Sequence, residues 1–213
     1  MLYPLVVKLF MPAYWWGRVR ATGVENVPEQ GPLLVVPNHD SQWDPIVVAL
    51  AVRKRRRLHF LARADLWKIP GLGPVLYALR QIPIERGAGD AGALEEAVEC
   101  LRAGEAVCVF PEGKLSRGEV LRARSGVGRL AAACPGVRVV LCEVSGTTDY
   151  VRFPRRPRVS VRFLAPEAGD PAPEEDPGAL AARLLAQIRE QVPPVPAGRR
   201  AGRDRLTSPS FRS

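Results

Sequence analysis

The sequence has few of the residues and patterns that mark several large classes of protein. It contains two histidines and four cysteines in 213 residues, with no CxxC pair, no internal repeat and no apolar run that could serve as a membrane-spanning helix. A disulfide framework, a zinc site and an integral membrane protein are therefore not expected. The cysteines fall in apolar settings and are predicted to be buried free thiols, which suits a reducing cytosol; they are Cys100, Cys108, Cys134 and Cys142.

The N-terminal segment, residues 1–20, is apolar and aromatic, but Lys8 and Pro12 interrupt it. It lacks the basic start and the small-residue cleavage site of a signal peptide, so none is expected. Two roles remain open for Tyr14, Trp15 and Trp16. They can insert into the headgroup layer of a membrane as an amphipathic element, or they can pack on the core of the domain.

Basic residues outnumber acidic ones by 31 to 22, which leaves a formal net charge of +9. This excess favours acidic partners such as phosphate esters, anionic lipid surfaces or nucleic acid. Two runs concentrate the charge, RKRRR at 53–57 and RFPRRPR at 152–158. Nucleic-acid binding uses interleaved stacking aromatics, and these runs contain only Phe153, so no nucleic acid is expected. A non-catalytic basic module that binds membrane or nucleic acid remains an alternative.

Apolar runs and helix signals alternate through the middle of the chain. The run LLVVP predicts a buried strand, and AVCVF at 106–110 predicts a second strand that Pro111 ends. Between them a helix is predicted, with Asp44 as its N-cap and Pro45 as its first residue. Such alternation predicts one α/β domain over residues 21–192, with a mostly parallel or mixed central sheet flanked by helices. Ligands of such sheets bind at the carboxyl ends of the strands.

The second half of the chain follows the same alternation. Asp90 is predicted to cap a helix that runs through Leu101. The stretch RPRVSVRFLAP at 156–166 predicts a strand at an edge of the sheet, because basic residues alternate along it. A last helix is predicted near 178–191, and the Pro, Gly, Arg and Ser content of 193–213 predicts a disordered basic tail.

Polar side chains interrupt the apolar pattern directly after the first predicted strand. Asn38 and His39 follow LLVVP, and Asp44 comes five residues after the histidine. This spacing does not suit one face of a helix, but it suits a loop that ends in the first turn of a helix. A histidine there can fold back against the carboxylate and act as a general base. The other histidine, His59, lies in an apolar run and is predicted to be a core or edge residue.

Two further polar stretches follow predicted strands. In FPEGKLSRG at 110–118, Glu112 and Gly113 can place a carboxylate and a closely approaching backbone beside a ligand. In IPIERG, Arg86 follows a short apolar strand, where its guanidinium can bind a phosphate through two hydrogen bonds. Both stretches are candidates for the same ligand site as His39.

Together, the three stretches resemble the PlsC-type glycerophospholipid acyltransferase family over roughly residues 20–165. The first block of that family has the form Asn-His-x4-Asp, the second ends in an acidic residue and Arg, and the third is Phe-Pro-Glu-Gly. The corresponding residues here are Asn38, His39 and Asp44; Ile84, Glu85 and Arg86; and Phe110, Pro111, Glu112 and Gly113. Three blocks in order are far more specific than any one of them.

The chain departs from the family pattern at two places. In the family, the third block often continues Thr-Arg-Ser. A fourth block usually carries a proline inside an apolar strand, whereas the corresponding stretch here, VVLCEVSG from Val139, has no proline. The altered positions are ones that would touch the acceptor, so a different lysophospholipid or a glycolipid remains an alternative acceptor. In place of Thr-Arg-Ser the chain has Lys114, Leu115 and Ser116, followed by Arg117.

The resemblance implies that His39, oriented by Asp44, takes the proton of an acceptor hydroxyl that attacks a thioester carbonyl. Arg86, Glu112 and Gly113 would hold the phosphate of the acceptor, 1-acyl-glycerol-3-phosphate, and the product would be phosphatidic acid. Possible supporting residues are Asn38, Arg63, Lys68, Ser116 and Arg117.

The partners implied by the resemblance are an acyl thioester, a lysophospholipid and an anionic membrane surface. The acyl donor is acyl-CoA or acyl carrier protein, and we expect no cofactor and no metal. We expect peripheral attachment to the cytoplasmic face of the cell membrane through the N-terminal rings and the RKRRR run.

Overall fold

The computed structural model describes residues 19–78, 80–85, 91–149 and 158–196. Arg86, Asp90, the rings at 14–16 and most of the predicted tail lie outside these ranges. The strands are β1 (Val19–Thr22), β2 (Leu33–Pro37), β3 (Leu58–Arg63), β4 (Ile82–Ile84), β5 (Ala106–Cys108), β6 (Arg138–Ser145) and β7 (Val159–Leu164). The α-helices are α1 (Asp44–Val52), α2 (Leu72–Ala78), α3 (Ala91–Arg102), α4 (Gly126–Ala133) and α5 (Pro177–Gln191).

The described strands form one mixed sheet in the order β1-β7-β6-β2-β5-β3-β4. Neighbouring strands are parallel except for β6 and β7, which are antiparallel. The carboxyl ends of β2, β3, β5 and β6 therefore meet at one end of the sheet, called here the carboxyl end. The predicted α/β fold with a mixed central sheet is confirmed.

Helices cover both faces of the sheet, which explains why β2 is buried at every position. Val47 and Val48 of α1 share one core cluster with Leu33 and Val35 of β2. On the other face, α3, α4 and α5 pack against Leu34 and the rest of a second cluster. Successive strand residues point to opposite faces, so a continuous apolar run supplies both cores.

The prediction that the strand within 156–166 lies at an edge of the sheet is wrong. β7 lies between β1 and β6, and the edge position belongs to β1, whose Val19 pairs with Val159. Ser160 and Arg162 alternate with buried residues and mark an exposed face of β7 rather than an unpaired edge. Arg162 stands opposite Glu143 of β6 and donates to its carboxylate at 2.6 and 2.9 Å.

The RKRRR run lies at the end of the sheet opposite to the carboxyl end. Arg56 donates to the carbonyls of Gly31 and Gly104, which precede β2 and β5. Arg55 donates to the carbonyl of Val27. Two guanidiniums of the run therefore brace loops of the domain itself.

The cysteines confirm the prediction of free thiols. Cys108, Cys134 and Cys142 are buried and Cys100 is half-buried, and none forms a disulfide. Burial raises the pKa of the Cys108 and Cys142 thiols well above the usual value. Within the four described ranges, no helix combines the length and the hydropathy needed to cross a membrane.

We expect Gly128→Ala to destabilise the protein, because α4 and α5 make backbone contact there. A Cβ on Gly128 would lie 2.0 Å from the carbonyl oxygen of Pro177. Alanine normally stabilises a helix by about 1 kcal/mol relative to glycine, but forcing the two helices apart should cost about 2–4 kcal/mol. Denaturant unfolding measures the change in the free energy of unfolding.

Gly126→Ala is the matched control on the same helix, since its Cβ would meet nothing within 4 Å. It should leave the free energy of unfolding unchanged or raise it slightly. Equal stabilities of the two variants would contradict the proposed close contact of α4 with α5.

Candidate active site

Two loops meet at the carboxyl end of the sheet, one after β2 and one after β5. The strands are neighbours, with Val35 paired to Cys108, so the residues that follow them are brought together. The ring of His39 stacks on Phe110 with 4.1 Å between centroids. The main-chain N–H of His39 donates to Glu112 Oε2 at 2.6 Å. The structure thus joins the first and third sequence blocks, which are far apart in the chain.

Asp44 is fully buried beside His39, and four hydrogen bonds fix its carboxylate. Its Oδ2 lies 3.2 Å from His39 Nδ1 and accepts the main-chain N–H groups of Asp40 and Ser41, both at 2.8 Å. Its Oδ1 accepts the hydroxyl of Thr147 at 2.6 Å. The carboxylate can therefore neither rotate nor exchange its partners without breaking several bonds.

The prediction that Asp44 is the N-cap of α1 is wrong. Trp43 occupies the N-cap position without a side-chain cap bond, and Asp44 is the first residue of the helix, with Pro45 behind it. The carboxylate points back into the preceding loop, where two N–H groups and the imidazole need an acceptor. Asp44 therefore holds the His39 loop rather than the helix terminus.

The contact with Asp44 favours one tautomer of the His39 imidazole. A carboxylate can only accept hydrogen bonds, so it selects the imidazole tautomer that carries its hydrogen on Nδ1. The lone pair is then on Nε2, on the side of the ring away from Asp44. The side chain of His39 is 15% exposed. The arrangement suits the activation of a hydroxyl group.

Asn38 ties the His39 loop to β6. It is fully buried, its Nδ2 donates to the carbonyl of Val144 at 2.9 Å, and its Oδ1 accepts the N–H of Val144 at 2.8 Å. The same Nδ2 group also donates to Asp40 Oδ2 at 3.1 Å. Both sides of the amide are used, which fixes the main chain immediately before His39.

Glu112 points into the protein and is 2% exposed. Its Oε2 accepts the N–H of His39, and its Oε1 accepts Nε of Arg189 at 2.8 Å. Burial raises the pKa of the Glu112 carboxyl, although the Arg189 guanidinium opposes the rise. These contacts favour a role in holding the His39 loop over the predicted contact with the acceptor phosphate.

The side chain of Arg124 lies against the exposed Gly113, and none of the three sequence blocks contains this arginine. Gly113 has a positive φ of 67°, and the site of a Cβ there lies 2.5 Å from Cδ and 2.7 Å from Nε of Arg124. The N–H of Arg124 donates to the carbonyl of Pro111 at 2.8 Å. The chain after Ser116 therefore folds back and places a basic side chain over this loop.

Of the remaining predicted residues, one is buried in the site and three are exposed. Ser116 is buried, donates from its N–H to the carbonyl of His39 at 2.8 Å and donates its hydroxyl to Asp40. Arg63 ends β3 at the carboxyl end of the sheet, but it forms an exposed ion pair with Asp65. Two more predicted supporting residues, Lys68 and Arg117, are exposed. Arg86, the predicted phosphate ligand, lies outside the described residues.

Sequence reasoning missed Asp40 and Arg189, which bind each other at the base of this site. Asp40 lies inside the first block, between His39 and Asp44, but no spacing rule marks it. Arg189 lies four residues, about one helical turn, after the buried Leu185, so an arginine falls on the apolar face of the last helix. A charged residue on a buried helix face was the available signal.

His59 lies at the opposite end of the sheet and is buried, as predicted. Its Nδ1 lies 3.1 Å from the carbonyl of Arg80, and its Nε2 lies 2.8 Å from Glu105. With Cys100, these side chains place three potential metal-ligand atoms within 4.8 Å of one another. However, the Arg80 guanidinium also binds Glu105, and burial raises the pKa of Cys100 to about 11. Both features favour a hydrogen-bonded cluster over a cation site.

Several known proteins are similar to this chain in sequence or in fold. The crystal structure of the 1-acyl-sn-glycerophosphate (LPA) acyltransferase PlsC from Thermotoga maritima is similar with a TM-score of 0.65 at 27% identity, covering 84% of this chain and 73% of that one. A Bacillus subtilis 1-acyl-sn-glycerol-3-phosphate acyltransferase is 24% identical over 68% of this chain and 82% of its own length. A Pseudomonas aeruginosa lyso-ornithine lipid O-acyltransferase is 34% identical over 62% of this chain and 49% of its own length.

Several other curated relatives are longer, and the chain spans 39–41% of their length. The family model described as Acyltransferase matches residues 18–145, which is more than half of the chain. The resemblance expected from the three blocks is thereby confirmed, and this chain belongs to the acyltransferase family, of the PlsC type.

Proposed function

We propose that this protein is an O-acyltransferase that moves a fatty acyl group from an acyl thioester to the free hydroxyl of 1-acyl-glycerol-3-phosphate, giving phosphatidic acid. The observation that carries the proposal is the His39–Asp44 pair, in which Nδ1 of His39 lies 3.2 Å from Oδ2 of the buried Asp44. Nε2 of His39 is on the side of the ring away from that carboxylate. The family membership and the named activities of the Thermotoga and Bacillus relatives support the same reaction.

In the proposed reaction, His39 Nε2 takes the proton of the acceptor hydroxyl while the oxygen attacks the thioester carbonyl. Asp44 stabilises the imidazolium that forms. The tetrahedral intermediate then expels the thiolate, which receives the proton from His39, so the products are an ester and a free thiol. The acceptor supplies the nucleophile, and no bound cofactor takes part.

A thiol-release assay with an acyl-CoA tests this function. We expect release to depend on added 1-acyl-glycerol-3-phosphate and to be lost in His39→Ala. The same assay is run with two other acceptors, a different lysophospholipid and lyso-ornithine lipid. It is also run with the acyl group on acyl carrier protein instead of CoA. No release with any donor and acceptor would overturn the proposal.

A different acceptor is the second candidate, and one relative favours it. The Pseudomonas protein named a lyso-ornithine lipid O-acyltransferase has 34% identity, above the 24% of the Bacillus enzyme. The third block here also continues Lys114-Leu115 instead of Thr-Arg. Preferential release with lyso-ornithine lipid would select this acceptor and leave the roles of His39 and Asp44 unchanged.

We expect Arg124→Ala to raise the KM for the acceptor while the KM for the acyl donor stays constant. Its side chain lies over Gly113 on the loop that stacks against His39, where a guanidinium can meet a phosphate. Loss of a charge-assisted hydrogen bond should raise that KM by about 10- to 100-fold. Steady-state kinetics in both substrates measure the split.

Arg122→Ala is the control, since Arg122 is an exposed arginine two residues away along the same segment. Equal effects of the two substitutions on the acceptor KM would show that Arg124 acts only through the overall surface charge and does not bind the phosphate. Arg86→Ala should behave as Arg124→Ala does, because Arg86 keeps its predicted role at the acceptor phosphate.

We also propose peripheral attachment to the cytoplasmic face of the membrane, where a lipid acceptor resides. Ile69 and Tyr77 are 48% and 71% exposed, and they lie on the segment that leaves the sheet at the carboxyl end of β3. Together with the rings at 14–16, they offer apolar groups for the headgroup layer. Sedimentation with vesicles of increasing anionic lipid content tests the attachment, and recovery of the protein in the supernatant at every composition would exclude it.

A further inference from the structure

The last helix brings a buried arginine to the carboxyl end of the sheet. Leu180, Leu184 and Ile188 of α5 belong to the core cluster on one face of the sheet, so the helix position is fixed by packing. Its final turn carries Arg189, whose side chain is 10% exposed. The family model ends at residue 145, so this group comes from outside the matched part of the chain.

Every N–H of the Arg189 guanidinium has an acceptor. Nη1 donates to Asp40 Oδ2 at 3.0 Å and to the carbonyl of Val192 at 3.1 Å. Nη2 donates to Asp40 Oδ1 at 3.0 Å and to Glu112 Oε1, and Nε donates to Glu112 Oε1 at 2.8 Å. A guanidinium has five donors, and an ammonium has three on a single nitrogen. Lysine therefore cannot reproduce this set of contacts.

Each carboxylate residue that Arg189 binds is one hydrogen bond from the proposed catalytic pair. Glu112 accepts the main-chain N–H of His39, and the main-chain N–H of Asp40 donates to the Asp44 oxygen that faces His39 Nδ1. Arg189 thus joins the loop after β2 to the loop after β5. It contacts neither the imidazole nor the carboxylate of Asp44 itself in the described structure.

Three buried carboxylates lie close to Arg189 or to its partners, and a positive charge stabilises them there. Asp40, Asp44 and Glu112 are 5%, 0% and 2% exposed, and burial of charged carboxylates is costly unless they are paired. Arg189 pairs with two of the three. The N–H groups around Asp44 and the hydroxyl of Thr147 stabilise the third.

We propose that Arg189 is a positioning residue for acyl transfer, which holds the two loops in the arrangement where Asp44 faces His39. The inference rests on the proposed function for its kinetic consequence, but the loop geometry can be measured without it. Misplacement of a reacting group by about 1 Å can cost 10²-fold in rate. A positioning role therefore predicts a loss in kcat with little change in either KM.

Arg189→Lys and Arg189→Met test this role. We expect kcat to fall about 10-fold in the lysine variant and about 100-fold in the methionine variant, with both KM values within about threefold of wild type. The lysine variant keeps a positive charge for the two carboxylates and should fold, so the test does not depend on the stability of the methionine variant.

Arg183→Lys and Arg183→Met are matched controls on the same helix. Arg183 binds the carboxylate of Glu175 through two nitrogens, and Glu175 lies just before the start of α5, away from the end that carries Arg189. Both control variants should keep wild-type kcat. A wild-type kcat in Arg189→Lys, or an equal loss in Arg183→Lys, would overturn the positioning role.

Amide hydrogen exchange gives a readout that does not need turnover. The main-chain N–H of His39 donates to Glu112, and those of Asp40 and Ser41 donate to Asp44. If Arg189 holds these loops in place, the three amides should exchange at least about 10-fold faster in Arg189→Lys than in wild type. Unchanged exchange at these amides would overturn the proposal. If wild-type protein transferred no acyl group, the proposed function would fail, and the exchange rates would still decide the role of Arg189.

Discussion

His39→Ala should reduce acyl transfer by about 10³- to 10⁴-fold, because the variant has no group in place to take the proton of the acceptor hydroxyl. The loop should survive, since the bond from His39 to Glu112 is made by the main-chain N–H. Loss of the ring contact with Phe110 should cost about 1 kcal/mol of stability. Turnover is measured by thiol release, and folding by the denaturation midpoint.

His59→Gln and His39→Gln form a matched pair for this prediction. His59 is the only other histidine in the chain and lies at the opposite end of the sheet, beside Glu105. His39→Gln should be as inactive as His39→Ala, whereas the folded fraction of His59→Gln should keep wild-type turnover. Turnover near wild type in His39→Gln would eliminate the imidazole mechanism.

Asp44→Asn should lower kcat by about 10²- to 10⁴-fold, because the amide carries no charge to stabilise the imidazolium. The fold should largely persist. The amide oxygen can still accept the N–H groups of Asp40 and Ser41, and the amide nitrogen can donate to the hydroxyl of Thr147, whose role reverses. Kinetics and thermal unfolding on the same preparation separate the two effects.

Asp170→Asn controls for the general effect of an aspartate-to-asparagine change. Asp170 accepts the main-chain N–H of Val139 at 2.9 Å and pairs with Arg138, at the start of β6. We expect its kcat to match wild type. An Asp44→Asn variant with kcat within about threefold of Asp170→Asn would show that the buried charge beside His39 does not contribute to the reaction.

The contacts of Glu112 change how the third block is understood. From the sequence, Phe-Pro-Glu-Gly is a ligand-binding turn with a carboxylate beside the acceptor phosphate. In the structure, the carboxylate is buried and binds both the main-chain N–H of His39 and the guanidinium of Arg189. The exposed residue of the turn is Gly113, and the side chain of Arg124 lies next to it. A buried, paired carboxylate suits the support of a loop better than the binding of an anion.

The sequence by itself predicted most of the strands and helices, although not β1, and the loop that carries His39 and Asp44. A continuous apolar run such as Leu33–Pro37 has one good explanation, a strand buried on both faces, and helix α5 appears within one residue of its predicted bounds. These features are local, so neighbouring residues carry the signal. The pairing of His39 with Asp44 was also predictable, because both residues lie in one short loop.

The tertiary structure alone decided which distant residues meet. The alternation of apolar and polar residues along Val159–Leu164 predicts an exposed face but not the neighbour of the strand, so its pairing with β1 could not be predicted from it. Likewise, Arg189 reaches Asp40 across 149 residues of sequence. Hydrophobic periodicity indicates which side of an element is buried, whereas the order of strands and the crossing of α5 over the sheet determine which buried groups touch.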